Sequence, residues 1–225
     1  MNRNFPTKRQ WIMMLYLPIH LLWYFILEQT VITDYYPIHC TLDNLIPFCE
    51  WFIFPYFTWF FYMVITGFYF LFKDGEAFEN YMLSLIFGFF ISTTIISVFP
   101  NGQDLRPVIY GPNFASQIVK WTQAFDTNTN VFPSMHVVGA LAVAFAITKS
   151  KTLKSKVWLQ IFNWTLCTAI ILATVFLKQH SVLDIFAGIV VSVAVYFFVY
   201  KGPARKVLTW VENLLTKKPK DKPIT

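Results

Sequence analysis

Long apolar blocks, separated by short polar segments, constrain the fold of this chain more than any other feature. Six blocks stand out, at 11–27, 51–72, 81–99, 135–148, 157–177 and 183–200. A helix needs about 20 mostly apolar residues to cross a bilayer, and an open strand edge would leave backbone groups unpaired in lipid. The blocks therefore predict an all-α, polytopic membrane helical bundle with about six transmembrane helices over residues 1–200. A basic cytoplasmic tail is predicted at 201–225.

Two of the blocks need a further argument. The first follows a basic start, as a cleaved signal peptide would, but no small-x-small cleavage site precedes the polar residues at 28–30. We therefore expect a retained span. The fourth block is the shortest, and it could begin inside the preceding loop and enter the membrane at an angle.

The Lys and Arg residues predict how the chain is oriented. If the N-terminus is cytoplasmic, 15 of the 18 fall in cytoplasmic segments, and the exceptions are Arg106, Lys120 and Lys178. Because cytoplasmic loops carry an excess of Lys and Arg, we expect a multi-pass protein of the plasma membrane with both termini in the cytoplasm. The net charge of +6 mostly reflects this asymmetry, so membrane lipids and not nucleic acid are the expected partners.

Cysteine and histidine spacing indicates no metal or cofactor site. There is no C-x-x-C or H-x-x-x-H pair. Cys40 and Cys49 share the first predicted outer loop, and the sequence allows either a disulfide between them or two free thiols. His20 lies within the first block and is interpreted as a packed, hydrogen-bonded residue.

The remaining polar residues gather in two predicted outer loops. The interiors of the second to sixth blocks hold almost no charged residue, which disfavours an ion-coupled transporter. Three groups carry the candidate chemistry: Asn101-Gly102-Gln103-Asp104-Leu105-Arg106-Pro107, Pro133-Ser134-Met135-His136, and Lys178-Gln179-His180 with Asp184.

Each group suits the handling of phosphate. His180 and Asp184 are four residues apart, and a carboxylate on one imidazole nitrogen makes the other nitrogen a better base or nucleophile. Ser134 is expected to cap the fourth helix, which would place His136 beside anion-binding N–H groups and let it protonate a leaving oxygen. Arg106 can bind phosphate in a bidentate manner. The alternative interpretations are a helix-surface pair for His180 and Asp184, an interfacial histidine for His136, and an ordinary contact with lipid headgroups for Arg106.

The order Arg-Pro, Pro-Ser-x-His and His-x-x-x-Asp resembles the type 2 phosphatidic acid phosphatase (PAP2) superfamily of membrane lipid phosphatases. The resemblance covers about residues 101–188 and the six-span layout. It implies that His180 attacks phosphorus and forms a phosphohistidine, with Asp184 orienting it. It also implies that His136 is the general acid for the leaving alcohol, and that Arg106 and Ser134 bind the phosphate.

Four positions depart from the family pattern, and one of them is Ala173, where the family usually has a Ser. Phe99 stands where the family usually has a Lys, and Thr174 where it usually has an Arg. Met135 replaces the glycine of Pro-Ser-Gly-His. Gln103 and Lys178 are expected to supply the missing phosphate contacts. Pro-Ser-Met-His and the missing Arg make the chain similar to the inositol-phosphotransferase-like branch, of the inositol phosphorylceramide synthase type.

The sequence therefore predicts a metal-independent enzyme with its active site on the extracytoplasmic face. The expected reaction is hydrolysis of a lipid phosphomonoester or diphosphate, such as phosphatidate, phosphatidylglycerophosphate or polyprenyl diphosphate. A phosphotransferase that moves a polar phospho-headgroup between lipids would use the same site. A non-enzymatic membrane protein that retains the fold is the third alternative.

Overall fold

The computed structural model describes residues 6–31, 34–207 and 209, and within them the chain forms eight α-helices. Two short strands, β1 (Tyr36–Pro37) and β2 (Asn101–Gly102), pair in parallel. Most of the predicted tail at 201–225 lies outside the described residues. The helices are α1 (Lys8–Met14), α2 (Tyr16–Thr30), α3 (Ile53–Lys73), α4 (Gly75–Val98), α5 (Phe114–Phe125), α6 (Met135–Lys149), α7 (Val157–Phe176) and α8 (Val182–Tyr196).

Five helical segments are long and apolar enough to cross a membrane: Lys8–Thr30, Glu50–Lys73, Gly75–Val98, Val157–Phe176 and Val182–Lys201. The predicted all-α membrane bundle is thereby confirmed, and the chain is an integral membrane protein. The fourth predicted block forms α6, whose 15 residues rise only about 22 Å. That length is less than the roughly 30 Å of a hydrocarbon core, so the six predicted spans are five long helices and one short one.

Helix α6 lies at the centre of the bundle. It packs against α3, α4, α7 and α8, and most of its residues are buried. Its four alanines and Gly139 are small residues, which let membrane helices approach closely. An added Cβ at Gly88 of α4 would lie 2.6 Å from Val138 Cγ1 of α6. Neighbouring helices therefore surround α6, and they place its first turn deep inside the protein.

The connecting loops meet at the two ends of the bundle. At one end the Tyr36 N–H donates to Pro100 O at 2.9 Å, and the Cys49 N–H donates to Phe176 O at 2.9 Å. At the other end Ser150 Oγ donates to Asp74 at 2.7 Å. The loops that follow α2, α4 and α7 thus share one end of the molecule. Cys40 and Cys49, which lie at that end, are free thiols.

Candidate active site

A cavity of about 340 Å³ runs into the bundle from the end where the loops that follow α2, α4 and α7 meet. Its polar end is formed by Arg106, Asp126, His136, Gln179 and His180. Its remaining walls come mainly from α2, α3 and α4 and are largely apolar, with Leu17, Leu21, Met63, Leu71, Phe78, Met82 and Leu85 among them. Along α3 the lining residues run from Tyr56 to Leu71, a rise of about 22 Å. The cavity therefore suits a molecule with a polar head and a hydrocarbon chain.

His180 and Asp184 form a buried pair at the start of α8. His180 Nδ1 lies 3.2 Å from Asp184 Oδ2, and the two residues are 8% and 0% exposed. The same carboxylate oxygen accepts a hydrogen bond from the Ser181 N–H at 2.8 Å. A carboxylate partner requires the proton on Nδ1, which leaves Nε2 of a neutral imidazole with its lone pair available. The surface-pair alternative is therefore wrong for these two residues.

Asp43 holds the start of α8 in place from a distant loop. It accepts hydrogen bonds from Ser181 Oγ at 2.6 Å and from the Val182 N–H at 2.8 Å. Desolvation opposes its ionisation, but these bonds and those from Cys40 outweigh it and hold the pKa of Asp43 below its ordinary value. The negative charge also suits a helix N-terminus. No motif in the sequence points to Asp43, because its partners lie far away along the chain.

His136 lies in the first turn of α6 and faces His180. Ser134 is the N-cap of this helix, as the sequence predicts, although its side chain makes no capping bond. The His136 ring stacks on Tyr56, with the ring centroids 4.3 Å apart, and packs on Trp59 at the same distance. Its centroid lies 5.8 Å from that of His180. One phosphoryl group could therefore contact both imidazoles.

A close backbone contact joins the starts of α6 and α8. The Ser134 N–H donates to Asp184 O at 3.2 Å. An added Cβ at Gly188 would lie 3.0 Å from Ser134 O, so only glycine leaves room for this approach. The contact fixes the two histidine-bearing segments relative to each other.

Arg106 is held against the cavity wall by backbone carbonyls. Its Nη1 donates to Asp126 O at 2.7 Å and its Nη2 to Thr127 O at 2.7 Å. Nη2 also donates to Gln179 Oε1, and it lies 3.9 Å from Asp126 Oδ2. These contacts fix the guanidinium at the polar end of the cavity, where the sequence predicts a phosphate-binding residue.

Three buried donors at or beside the polar end have no hydrogen-bond partner within the described part of the chain: Arg106 Nε, Gln179 Nε2 and Ser134 Oγ. Leaving a buried donor unpaired costs about 1–3 kcal/mol, so a cluster of them indicates that an acceptor normally binds there. An ionised phosphate offers several acceptor oxygens in a small volume.

Gln103 and Lys178, predicted to contact phosphate, have other partners. Gln103 Nε2 donates to Lys178 O at 3.0 Å, and its Oε1 accepts from the Leu105 N–H at 2.5 Å. Lys178 Nζ donates to Asp43 O at 2.6 Å. Neither residue lines the cavity. Gln103 ties the Arg106 loop to the α7–α8 loop, and Lys178 ties the α7–α8 loop to the loop that carries Asp43. This placement does not support a direct phosphate contact.

Two cavity residues are missed by sequence reasoning. Gln179 stands between two residues singled out by the motifs, but a glutamine there suggests no chemistry. Asp126 lies in a stretch without a motif. Both reach the site through Arg106, whose guanidinium donates to Asp126 O and to Gln179 Oε1, and both of these contacts are long-range in sequence.

A sequence model of the PAP2 superfamily matches residues 80–207, more than half of the chain. The chain belongs to the PAP2 superfamily. The matched segment contains all three motifs, so the resemblance inferred from them is confirmed. No curated protein matches the chain in sequence. Similarity to the inositol-phosphotransferase-like branch stays a prediction.

PAP2 proteins are phosphatases and phosphotransferases, and this member lacks two cations that the family usually carries. Phe99 stacks obliquely on Tyr36, with centroids 5.3 Å apart. Thr174 is buried, and its backbone oxygen accepts from the His180 N–H at 3.1 Å. Neither position lines the cavity. Among the described residues, Arg106 is the only Lys or Arg that lines the cavity.

Proposed function

We propose that this PAP2 protein is a membrane lipid-phosphate phosphatase that hydrolyses a lipid phosphomonoester or diphosphate through a phosphohistidine. The observation that carries this proposal is the pair of imidazoles of His136 and His180, whose ring centroids are 5.8 Å apart. They lie at the polar end of a cavity that continues into an apolar region. The unpaired donors of Arg106, Gln179 and Ser134 support phosphate as the group that binds there.

In the first step His180 Nε2 attacks phosphorus, so that a P–N bond forms while the P–O bond to the lipid breaks. His136 donates its proton to the departing alkoxide. Asp184 stabilises the positive charge that develops on the His180 ring. Arg106 and the unpaired donors stabilise the charge on the equatorial oxygens.

In the second step water attacks the phosphohistidine. His136, now neutral, accepts a proton from that water, and the P–N bond breaks to release phosphate and restore His180. Because fixed protein donors provide the positive field in both steps, the mechanism requires no metal ion.

The distribution of Lys and Arg supports an extracytoplasmic active site. If 15 of the 18 lie in cytoplasmic segments, as the sequence predicts, the end that bears the cavity faces outward. The packing also suggests how a lipid enters. Helices α2 and α3 both pack against α4, but they pack little against each other. We propose that the hydrocarbon chain enters between α2 and α3 from the bilayer.

One observation favours phosphotransfer as a second candidate function. The polar end pairs a single Arg with the carboxylate of Asp126, and Glu28 approaches from behind through its 2.6 Å bond with Thr127 Oγ1. So little net positive charge suits a singly charged phosphodiester better than a phosphomonoester dianion. A polar headgroup would then pass through His180 to an acceptor alcohol in place of water.

The proposed function is tested with purified protein in detergent and a panel of lipid phosphates. We expect release of inorganic phosphate at the same rate with and without a strong chelator. Adding acceptor alcohols and analysing the lipids separates the two candidates, because transfer yields a new phospholipid. Loss of activity on chelation would contradict the metal-free mechanism, and no turnover of any phosphate ester would contradict the function itself.

Asp126 is expected to make phosphate binding depend on pH. Desolvation raises the pKa of Asp126 above its ordinary value, and the Glu28 carboxylate raises it further, while Arg106 lowers it. Above that pKa the carboxylate repels phosphate and competes for Arg106, and below it the charge is lost. KM should therefore rise as the pH rises through this pKa.

Asp126→Asn removes the charge but keeps an acceptor for Tyr56 Oη, which lies 3.2 Å away. At neutral pH we expect KM to fall by about three- to tenfold, since a partly screened charge pair contributes about 1 kcal/mol. The measurement is KM against pH for both proteins, because titration of the substrate affects both equally. An increase in KM in the variant would show that Asp126 assists binding.

A further inference from the structure

His20 lies in the mostly apolar part of the cavity, on α2, and is 4% exposed. Its Nδ1 is 3.5 Å from Thr93 Oγ1. Its other nitrogen has no hydrogen-bond partner among the described residues. That nitrogen, Nε2, is not one of the fully buried atoms that lack a partner, so it opens onto the cavity that His20 lines. A donor or acceptor that faces an apolar cavity without a partner is costly, so this imidazole is expected to meet a polar group of the ligand.

The orientation of the His20 ring is fixed by two aromatic neighbours. Tyr16 stacks on the His20 ring at a centroid distance of 5.6 Å and an interplanar angle of 16°. Phe89 also stacks on the His20 ring, at 4.9 Å and 19°. The ring is held between them, with one nitrogen toward Thr93 on α4. The ring therefore has little freedom to turn its second nitrogen toward another protein group.

Thr93 also links His20 to the first turn of α6, which bears His136. Thr93 Oγ1 lies 4.0 Å from Met135 Sδ, and Met135 precedes His136. A lipid whose phosphate lies between His136 and His180 would thus bring the atoms next to its phosphate, and not the end of its chain, to the level of His20.

We infer that His20 recognises an oxygen of the lipid backbone beside the phosphate, such as an ester carbonyl or a hydroxyl. The Thr93 hydroxyl donates to Nδ1, because an imidazole nitrogen accepts a hydrogen bond better than a thioether does, and this leaves the ring proton on Nε2. Nε2–H then donates to the lipid oxygen. A polyprenyl phosphate offers no such oxygen, so the site favours glycerolipid or sphingolipid phosphates.

This inference rests on the proposed function, since it places the phosphate between His136 and His180. The test compares ester-linked phosphatidate, its dialkyl ether analogue, ceramide phosphate and a polyprenyl phosphate. The proteins are the full-length wild type and His20→Phe, which keeps an aromatic ring between Tyr16 and Phe89. Affinity is measured from the ligand-induced shift in melting temperature, and phosphate release is measured separately.

We expect the wild type to bind the ester about three- to tenfold more tightly than the ether, the range of one net hydrogen bond. His20→Phe should bind ester and ether equally while its affinity for polyprenyl phosphate stays unchanged. A preference for ceramide phosphate over the ester, lost in the variant, would identify the hydroxyl or amide as the group recognised.

Equal binding of ester, ether and ceramide phosphate by the wild type would overturn the inference. So would an equal loss of affinity for every lipid in His20→Phe, which would indicate a structural role. The proposed function fails on a different result, namely binding of these lipids without release of phosphate or transfer to an acceptor.

Discussion

His180→Ala is expected to lower phosphate release by roughly a thousandfold or more, the scale at which enzymes lose activity without their nucleophile. The imidazole is buried, it is oriented by Asp184 through a 3.2 Å hydrogen bond, and it lies at the polar end of the cavity. Of the two imidazoles described at the polar end, His180 is the one that a carboxylate orients. The measurement is kcat/KM for a lipid phosphate in detergent.

His39→Ala is the matched control for this change. His39 lies at the same end of the molecule and is exposed, and its hydrogen-bond partner among the described residues is Asn44, at 3.2 Å. We expect activity close to that of the wild type. Because Asp184 loses a donor in His180→Ala, a His180→Gln variant should be measured as well. Near-normal activity in either His180 variant would rule out the nucleophile assignment.

His136→Phe is expected to lower the hydrolysis of alkyl phosphates by about 10²- to 10⁴-fold, the usual contribution of a general acid–base group. Phenylalanine keeps an aromatic ring against Tyr56 and Trp59, so the loss would come from the missing proton donor. An aryl phosphate with an acidic phenol needs no proton on its leaving group. For that substrate the first step should stay fast.

The second step still needs His136 as a base, so the aryl substrate should show a burst of phenol followed by slow turnover. Stopped-flow absorbance measures both phases. An equal loss with alkyl and aryl substrates, without a burst, would indicate that His136 only shapes the cavity.

The sequence predicts the helices of this protein well because local patterns determine them. The apolar block at 135–148 becomes α6 (Met135–Lys149) almost to the residue, since Pro133 and Ser134 suit a helix start. The same block does not reveal that α6 is central. Its burial depends on the small side chains of several helices that meet only in the folded bundle.

The candidate site divides in the same way. His180 and Asp184 come together because they are four residues apart, on either side of the N-cap of α8. The partners of Gln103 and Lys178 could not be predicted, because both bind backbone carbonyls of distant loops. A positive charge in a phosphate-binding motif predicts a phosphate contact only if the loop geometry turns it toward the cavity. At Lys178 the backbone has a φ of 57°, and its ammonium reaches Asp43.

The phosphohistidine is tested most directly by trapping it. His136→Phe is mixed with an aryl phosphate that carries radioactive phosphorus and is quenched in alkali, in which phosphohistidine is stable, and the digested peptides are analysed. We expect one labelled peptide, with the phosphate on His180, and no label in the double variant His136→Phe/His180→Ala. A burst of phenol without labelled protein, or a label on any other residue, would contradict the proposed mechanism.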